Sequence, residues 1–139
     1  MSVEGPVLID TSAFFAMANS SERRHEPAKA VAAELAKASV RLYTTNFIRA
    51  ECHALILNRL GHQAADKFLE HLGDAPRDFV VYVSRTDEMK ALDLLQRYRD
   101  KDFSLVDATS FVVMERLKVP TAFCFDDDFR QYGRFHILP

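Results

Sequence analysis

Glycine and proline are scarce, with four and five residues in a chain of 139, which excludes a fibrous, linker-rich or loop-dominated molecule. Cysteine is scarcer. Cys52 and Cys124 form no close pair, and each is flanked by residues that read as buried helix or strand. They are expected to be reduced core thiols rather than a disulfide or a zinc site. No apolar run approaches the length needed to span a bilayer, and the opening MSVEGPVLID has no basic stretch ahead of an apolar one. The expectation is a soluble, cytoplasmic protein with no membrane association. Also missing are a Walker loop, GxGxxG, GxSxG and HExxH, and His53, His62 and His71 form no local metal motif.

Strong charge of either sign is lacking too. The formal net charge is −2, which at first sight argues against a nucleic-acid partner. The argument weakens if acids are gathered at a metal site. Were five of the 20 acids so placed, 15 would remain against 18 Lys and Arg. What the chain does have is a globular composition, 48% hydrophobic and 27% charged. Its length suits one domain over residues 1–139, with a sizeable core.

The pattern alternates strands and helices. Val7 to Ile9 is a short apolar run that reads as a buried strand, and Thr11 and Ser12 then cap a helix through Phe14, Phe15 and Met17. Glu26 to Ala38 reads as an amphipathic helix, and Arg41 to Thr44 as a weaker strand. Thr45 or Asn46 caps an apolar helix from Phe47 to Leu60, closed by Gly61, and Gln63 to Leu72 follows as a helix ending at Gly73. Phe79 to Val83 is a strand, Glu88 to about Arg99 a helix, and Ser104 to Leu117 another, ended by Pro120. Thr121 to Phe125 is a strand running into Asp126, Asp127 and Asp128, with Phe135 to Leu138 as a final edge strand. Such alternation implies an α/β fold with a mostly parallel sheet of four or five strands, covered by helices on both faces. Ligands of such sheets bind at the carboxyl ends of the strands, where Asp10 and Asp126 fall.

Four separated acids are the candidates for chemistry. At 100° per residue Glu51 lies between Phe47, Ala54 and Leu55, and a carboxylate in an apolar stripe is costly unless paired or bound to a cation, the equal alternative being a Glu that salt-bridges at the edge of the core or simply reaches water. Asp10 projects from the end of its strand, although helix capping alone would explain it. Capping would equally explain Asp107, since Ser104 with Asp107 fits the [ST]-x-x-[DE] box. Asp126, Asp127 and Asp128 are self-repulsive without a counter-ion, yet could form a solvated acidic turn. Together they make a stronger case. Carboxylates drawn close raise one another's pKa values unless a divalent cation holds them ionised, and Mg²⁺ and Mn²⁺ prefer such hard oxygen ligands. An ion held this way can bind a phosphodiester and activate a water for attack on it, with no Cys, Ser or His nucleophile.

The order of these pieces resembles one family. Val7-Leu8-Ile9-Asp10-Thr11-Ser12, Ala50-Glu51, Ser104-Leu105-Val106-Asp107-Ala108 and Phe125-Asp126-Asp127-Asp128-Phe129 are together similar to the PIN-domain ribonucleases, and among them to the VapC-like toxins of type II toxin–antitoxin pairs. The resemblance implies a Rossmann-like (PIN-like) sheet and a magnesium- or manganese-dependent endoribonuclease. It places the metal-binding and catalytic acids at Asp10, Glu51, Asp107 and Asp126, with Asp128 as a supporting acid and Ser12 as a hydroxyl near metal or substrate. Phe125 departs from the Thr usual before the fourth acid, which bears on a supporting hydrogen bond rather than on the ligands. Asp102 also occurs in similar segments, with no role assigned to it. An RNA substrate, a small cognate antitoxin and a homodimer are implied in the same way. Arg23, Arg24, Arg49, Arg97, Arg99 and Lys101 are candidates for phosphate contacts, against the plainer reading of solvated surface charge.

Two other functions remain open on the residues. In a phosphatase or phospho-acceptor domain Asp10 would be the nucleophile, but no second acid follows two residues on, and Val83 is followed by Ser84 rather than an acceptor Asp. In a catalytically silent binding module the acids would cap helices or hold a structural ion, while the surface bound RNA or protein.

Overall fold

Three-residue apolar strands with no polar alternation can be stable only where both of their faces are covered, and this is how the chain uses them. The computed structural model describes Val3 and residues 5–139. Met1, Ser2 and Glu4, part of the opening segment read as carrying no leader, lie outside the described residues. In chain order the elements are β1 (Val7–Ile9), α1 (Thr11–Ala18), α2 (His25–Ala38), β2 (Leu42–Thr45), α3 (Asn46–Leu60), α4 (His62–Gly73), β3 (Val80–Val81), α5 (Arg85–Arg97), α6 (Leu105–Leu117), β4 (Thr121–Phe123), α7 (Asp128–Tyr132) and β5 (His136–Leu138). The strands form one five-stranded sheet in the order β3-β2-β1-β4-β5. All four pairings are parallel, and helices flank the sheet. The α/β reading therefore stands, and the sheet has five strands.

β1 is the middle strand. Val7 and Leu8 are fully buried and Ile9 nearly so, with β2 on one side and β4 on the other. The residue that leaves this strand is Asp10, so the centre of the sheet's carboxyl edge carries a carboxylate. Thr44 of β2 reinforces the crest by donating its hydroxyl to the Ile9 carbonyl at 3.0 Å. The two cysteines are buried and unpaired, as their surroundings in the sequence implied.

Several boundaries differ from the sequence reading for local reasons. Ser84 and Asp87 form a full capping box, so α5 begins at Arg85 rather than near Glu88. β3 shrinks to two residues because the Val83 N–H turns to the Asn46 side chain at 2.8 Å instead of continuing the ladder. α3 is capped by Thr45, whose hydroxyl accepts the Ile48 N–H, which decides between the two candidate caps. Thr11 and Ser12 are not caps but residues of the first turn of α1, after Asp10.

Aromatic packing fixes the helices that carry the later acids. Phe111 of α6 is fully buried and stacks on Tyr132 at 4.3 Å, with edge contacts to Phe129 at 5.0 Å and Phe103 at 5.1 Å. This cluster ties α6, which bears Asp107, to α7, which bears Asp128. The opposite end of α6 is tied to α5, where Arg116 donates to both carboxylate oxygens of the buried Asp87 at 2.9 and 2.8 Å. Phe111→Ala is expected to lower the unfolding free energy by about 3–5 kcal/mol, while Leu92→Ala, on the exposed side of α5, changes it by less than about 1 kcal/mol. Urea denaturation of the two variants measures both, and equal losses would show that Phe111 is not the keystone of this face.

Candidate functional site

The acids of the sequence analysis come from four segments that the parallel sheet brings to one edge. An open cleft of about 720 Å³ there is lined by Asp10, Glu51, Asp107, Asp126 and Asp128, together with Thr11 and Ser12. Glu22, Asp102, Arg24 and Arg59 also face it. Asp127 does not line it.

Asp10 is only 3% exposed and makes no side-chain cap to α1. The capping explanation therefore fails for it. Burial pushes its carboxyl up to about 7, with the charges of Asp107, Asp126 and Glu51 acting in the same direction. Ser12 donates its hydroxyl to Asp10 Oδ2 at 3.2 Å and accepts the Phe125 N–H at 2.9 Å. One serine thus links β1 to the segment after β4. The bond uses the backbone of residue 125, so the Phe found there leaves it intact.

Glu51 is placed differently from the sequence reading. It is exposed rather than sunk in an apolar stripe, with Phe47 and Leu55 half-buried and Ala54 exposed. The core face of α3 is Ile48, Cys52 and Ile56, and the adjoining face of Glu51, Leu55 and Arg59 lines the cleft. Thr11 holds Glu51 by donating its hydroxyl to Oε1 at 2.6 Å. Desolvation within the cleft raises the Glu51 pKa, the Thr11 bond opposes this, and Asp107 and Asp126 add to the rise.

Asp107 does form the capping box with Ser104. Its Oδ2 accepts the Ser104 N–H at 2.9 Å while its own N–H donates to the Ser104 hydroxyl at 3.1 Å. Capping and a place in the cleft are therefore not alternatives here, because a carboxylate has a second oxygen and further lone pairs. Burial pushes the Asp128 carboxyl up to about 7, with the neighbouring charges of Asp107, Asp126 and Asp127 acting in the same direction. Asp126 is raised by burial, with Asp107 and Asp127 adding to the rise and Arg24 opposing it.

These acids are spaced to repel one another but do not close on a common point. Among the described residues no three acidic, His or Cys side chains stand in a ready ion-holding cluster. The donor set is nonetheless suited to a hard divalent cation. It offers only oxygen, with Thr11, Ser12 and the Ser104 N–H bonded to three of its carboxylates. Mg²⁺ ordinarily takes one or two carboxylates directly and keeps waters for the rest of its shell.

The sequence reading missed Thr11, Glu22 and Arg59. Arg59 was legible in principle, since Glu51, Leu55 and Arg59 recur every four residues on one helix face. Of the candidate phosphate contacts only Arg24 reaches the cleft. Arg97 lines a separate cavity of about 490 Å³ between α5, α6 and α7, and Arg49 packs against exposed Tyr82.

Comparison with known proteins shows the family. The PIN domain family model matches residues 7–135. The chain is 34% identical over 134 residues to the "23S rRNA-specific endonuclease VapC20" of Mycobacterium tuberculosis, an alignment covering 96% of this chain and 98% of that protein. It is 34% identical over 114 residues to a "VapC ribonuclease" of Archaeoglobus fulgidus, covering 81% of this chain and 72% of that one. The crystal structure of M. tuberculosis VapC20, described as a "Sarcin-Ricin loop cleaving toxin", superposes with a TM-score of 0.82 at 31% identity, over 96% of this chain and 99% of that chain.

A buried acid whose pKa is raised in the folded state stabilises the fold while protonated, and that contribution is lost as pH rises through the folded value. For Asp10 the window runs from its ordinary 3.8 up to about 7. In EDTA the melting temperature should therefore fall by several degrees between pH 5 and pH 8, and in Asp10→Asn the fall should be clearly smaller. Parallel curves for the two proteins would remove Asp10 from the account.

Proposed function

The chain belongs to the PIN-domain family, and on that premise we propose that it is a metal-dependent endoribonuclease acting as the toxin of a toxin–antitoxin pair. The observation that carries the metal dependence is the gathering of Asp10, Glu51, Asp107, Asp126 and Asp128 on one cleft, with Asp10 buried there and its pKa raised to about 7. Such a set gains its full charge only with a cation among its members. In this reading Asp10, Glu51, Asp107 and Asp126 are the catalytic and metal-holding acids, with Asp128 as a further ligand.

A Mg²⁺ or Mn²⁺ ion bound there would supply Lewis-acid activation of a phosphodiester and of the water that attacks it. The protein's own groups do the rest. Thr11 keeps the Glu51 carboxylate turned into the cleft. Ser12 fixes one oxygen of Asp10, and the Ser104 N–H fixes one oxygen of Asp107. These bonds set which oxygens remain free to face the ion and the substrate.

The substrate proposed is RNA, in keeping with the activities for which the relatives at 34% identity are named. A cognate antitoxin and a homodimer are the expected partners, a single PIN domain the expected unit and the cytoplasm the expected place. No helix among the described residues is long and apolar enough to cross a membrane. The phosphatase alternative lacks a second acid placed beside Asp10 within its own segment. The silent module is disfavoured because the acids face one cleft rather than serving only as caps.

Purified protein should cleave single-stranded RNA in Mg²⁺ or Mn²⁺ and stop in EDTA. Asp10→Asn should lose more than about 100-fold in rate, and Ser12→Ala about 10-fold, since hydrogen bonds that support a ligand are commonly worth that much. Cleavage that persisted in EDTA and in Asp10→Asn would exclude this mechanism. Intact folding without cleavage would favour the binding module. Mg²⁺ should also raise the melting temperature of the parent more than that of Asp10→Asn or Asp107→Asn, through binding to the folded state, and equal shifts in all three would dissolve the shared site.

A further inference from the structure

Seven carboxylates face the cleft, those of Asp10, Glu22, Glu51, Asp102, Asp107, Asp126 and Asp128, against the two cations Arg24 and Arg59. A polyanion entering such a cleft needs positive charge beyond that of one or two ions. The two arginines that line the cleft come from different parts of the chain and can supply it. Arg24 stands beside Asp126, which follows β4, and its charge acts on that carboxylate. Arg59 belongs to α3, which follows β2, two turns and so about 12 Å along the axis beyond Glu51. Asp10 ends the central strand, which lies between β2, followed by α3, and β4, followed by Asp126.

Arg24 is held in place without using its guanidinium donors. The guanidinium lies over the Phe125 ring, 5.5 Å from the centroid. The Arg24 backbone N–H donates to Glu22 Oε1 at 3.3 Å, and the next residue, His25, pairs its ring Nδ1 with the Ala16 carbonyl at 2.8 Å, tying the segment to α1. Among the described residues no acceptor hydrogen-bonds to the guanidinium of either arginine. An arginine stacked on an aromatic ring and lacking hydrogen-bond acceptors presents its planar fork to whatever enters the cleft.

We propose that Arg24 and Arg59 are a phosphate-gripping pair that binds the RNA backbone on either side of the phosphodiester held at the acids, with Phe125 as the platform that orients Arg24. The proposal rests on the ribonuclease reading for its substrate and goes beyond it in assigning the backbone contacts. It also gives the residue that departs from the family pattern a task of its own.

The test is the salt dependence of binding of a fluorescently labelled single-stranded RNA oligonucleotide to the full chain in Mg²⁺, in an Asp10→Asn background that does not cut it. Removing one cation that neutralises a phosphate should flatten the slope of log affinity against log salt by about 0.7. Arg24→Gln and Arg59→Gln should each do so, and the double variant by about twice as much. Arg24→Lys should restore the slope, because the slope reads charge rather than packing, and Arg97→Gln, away from the cleft, should leave it unchanged. Slopes equal to that of the background in both glutamine variants would overturn the pair, even with the parent an active ribonuclease. Failure of the background protein to bind RNA at low salt, with no cleavage by the parent, would overturn the ribonuclease reading itself.

Discussion

The mutual repulsion of carboxylates at the carboxyl edge of a parallel sheet is the constraint around which this molecule is organised. Asp10 is buried at the end of a strand that is itself buried, and the fold adds Glu51, Asp107, Asp126 and Asp128 to the same cleft. Left alone these groups would ionise and spread. The hydroxyls of Thr11 and Ser12 and the N–H of Ser104 hold three of them in place instead. Burial and mutual repulsion raise the pKa values of Asp10, Glu51, Asp126 and Asp128 together, as expected of a functional site.

The rest of the chain serves to make that concentration of charge tolerable. The apolar middle strand places Asp10, while the aromatic cluster around Phe111 locks α6 to α7. Asp107 and Asp128 are therefore brought to the same cleft by packing between the helices that carry them. At the other end of α6 the bidentate Asp87–Arg116 pair shows the same carboxylate chemistry resolved differently. There the burial that pushes the acid up is outweighed by bonds from Arg116 and Ser84, which leave its pKa lowered.

Much of the fold is legible in the sequence because its signals are local. The apolar triplet before Asp10, the box at Ser104 and Asp107, and the glycine after Leu60 each act within a few residues, and the alternation of elements requires a parallel sheet. The departures are also local in origin. Periodicity puts Glu51 in the apolar stripe because it gives relative angles along a helix but not which of two adjoining faces meets the core. The hydroxyls of Thr11 and Ser12 suit a capping role, yet here they serve carboxylates 40 and two residues away.

By itself the sequence determined the identity and order of the acids, the strands that carry two of them, and the likeness to one family. Short-range patterning and residue chemistry are enough for that. Only the tertiary structure decided that Asp127 stays out of the cleft while Asp128 enters it, that Asp107 can cap a helix and still face the site, and that Arg24 and Arg59 line the same cleft as the acids. These outcomes depend on distances between segments far apart in the chain, which strand order and helix packing set and no local pattern encodes.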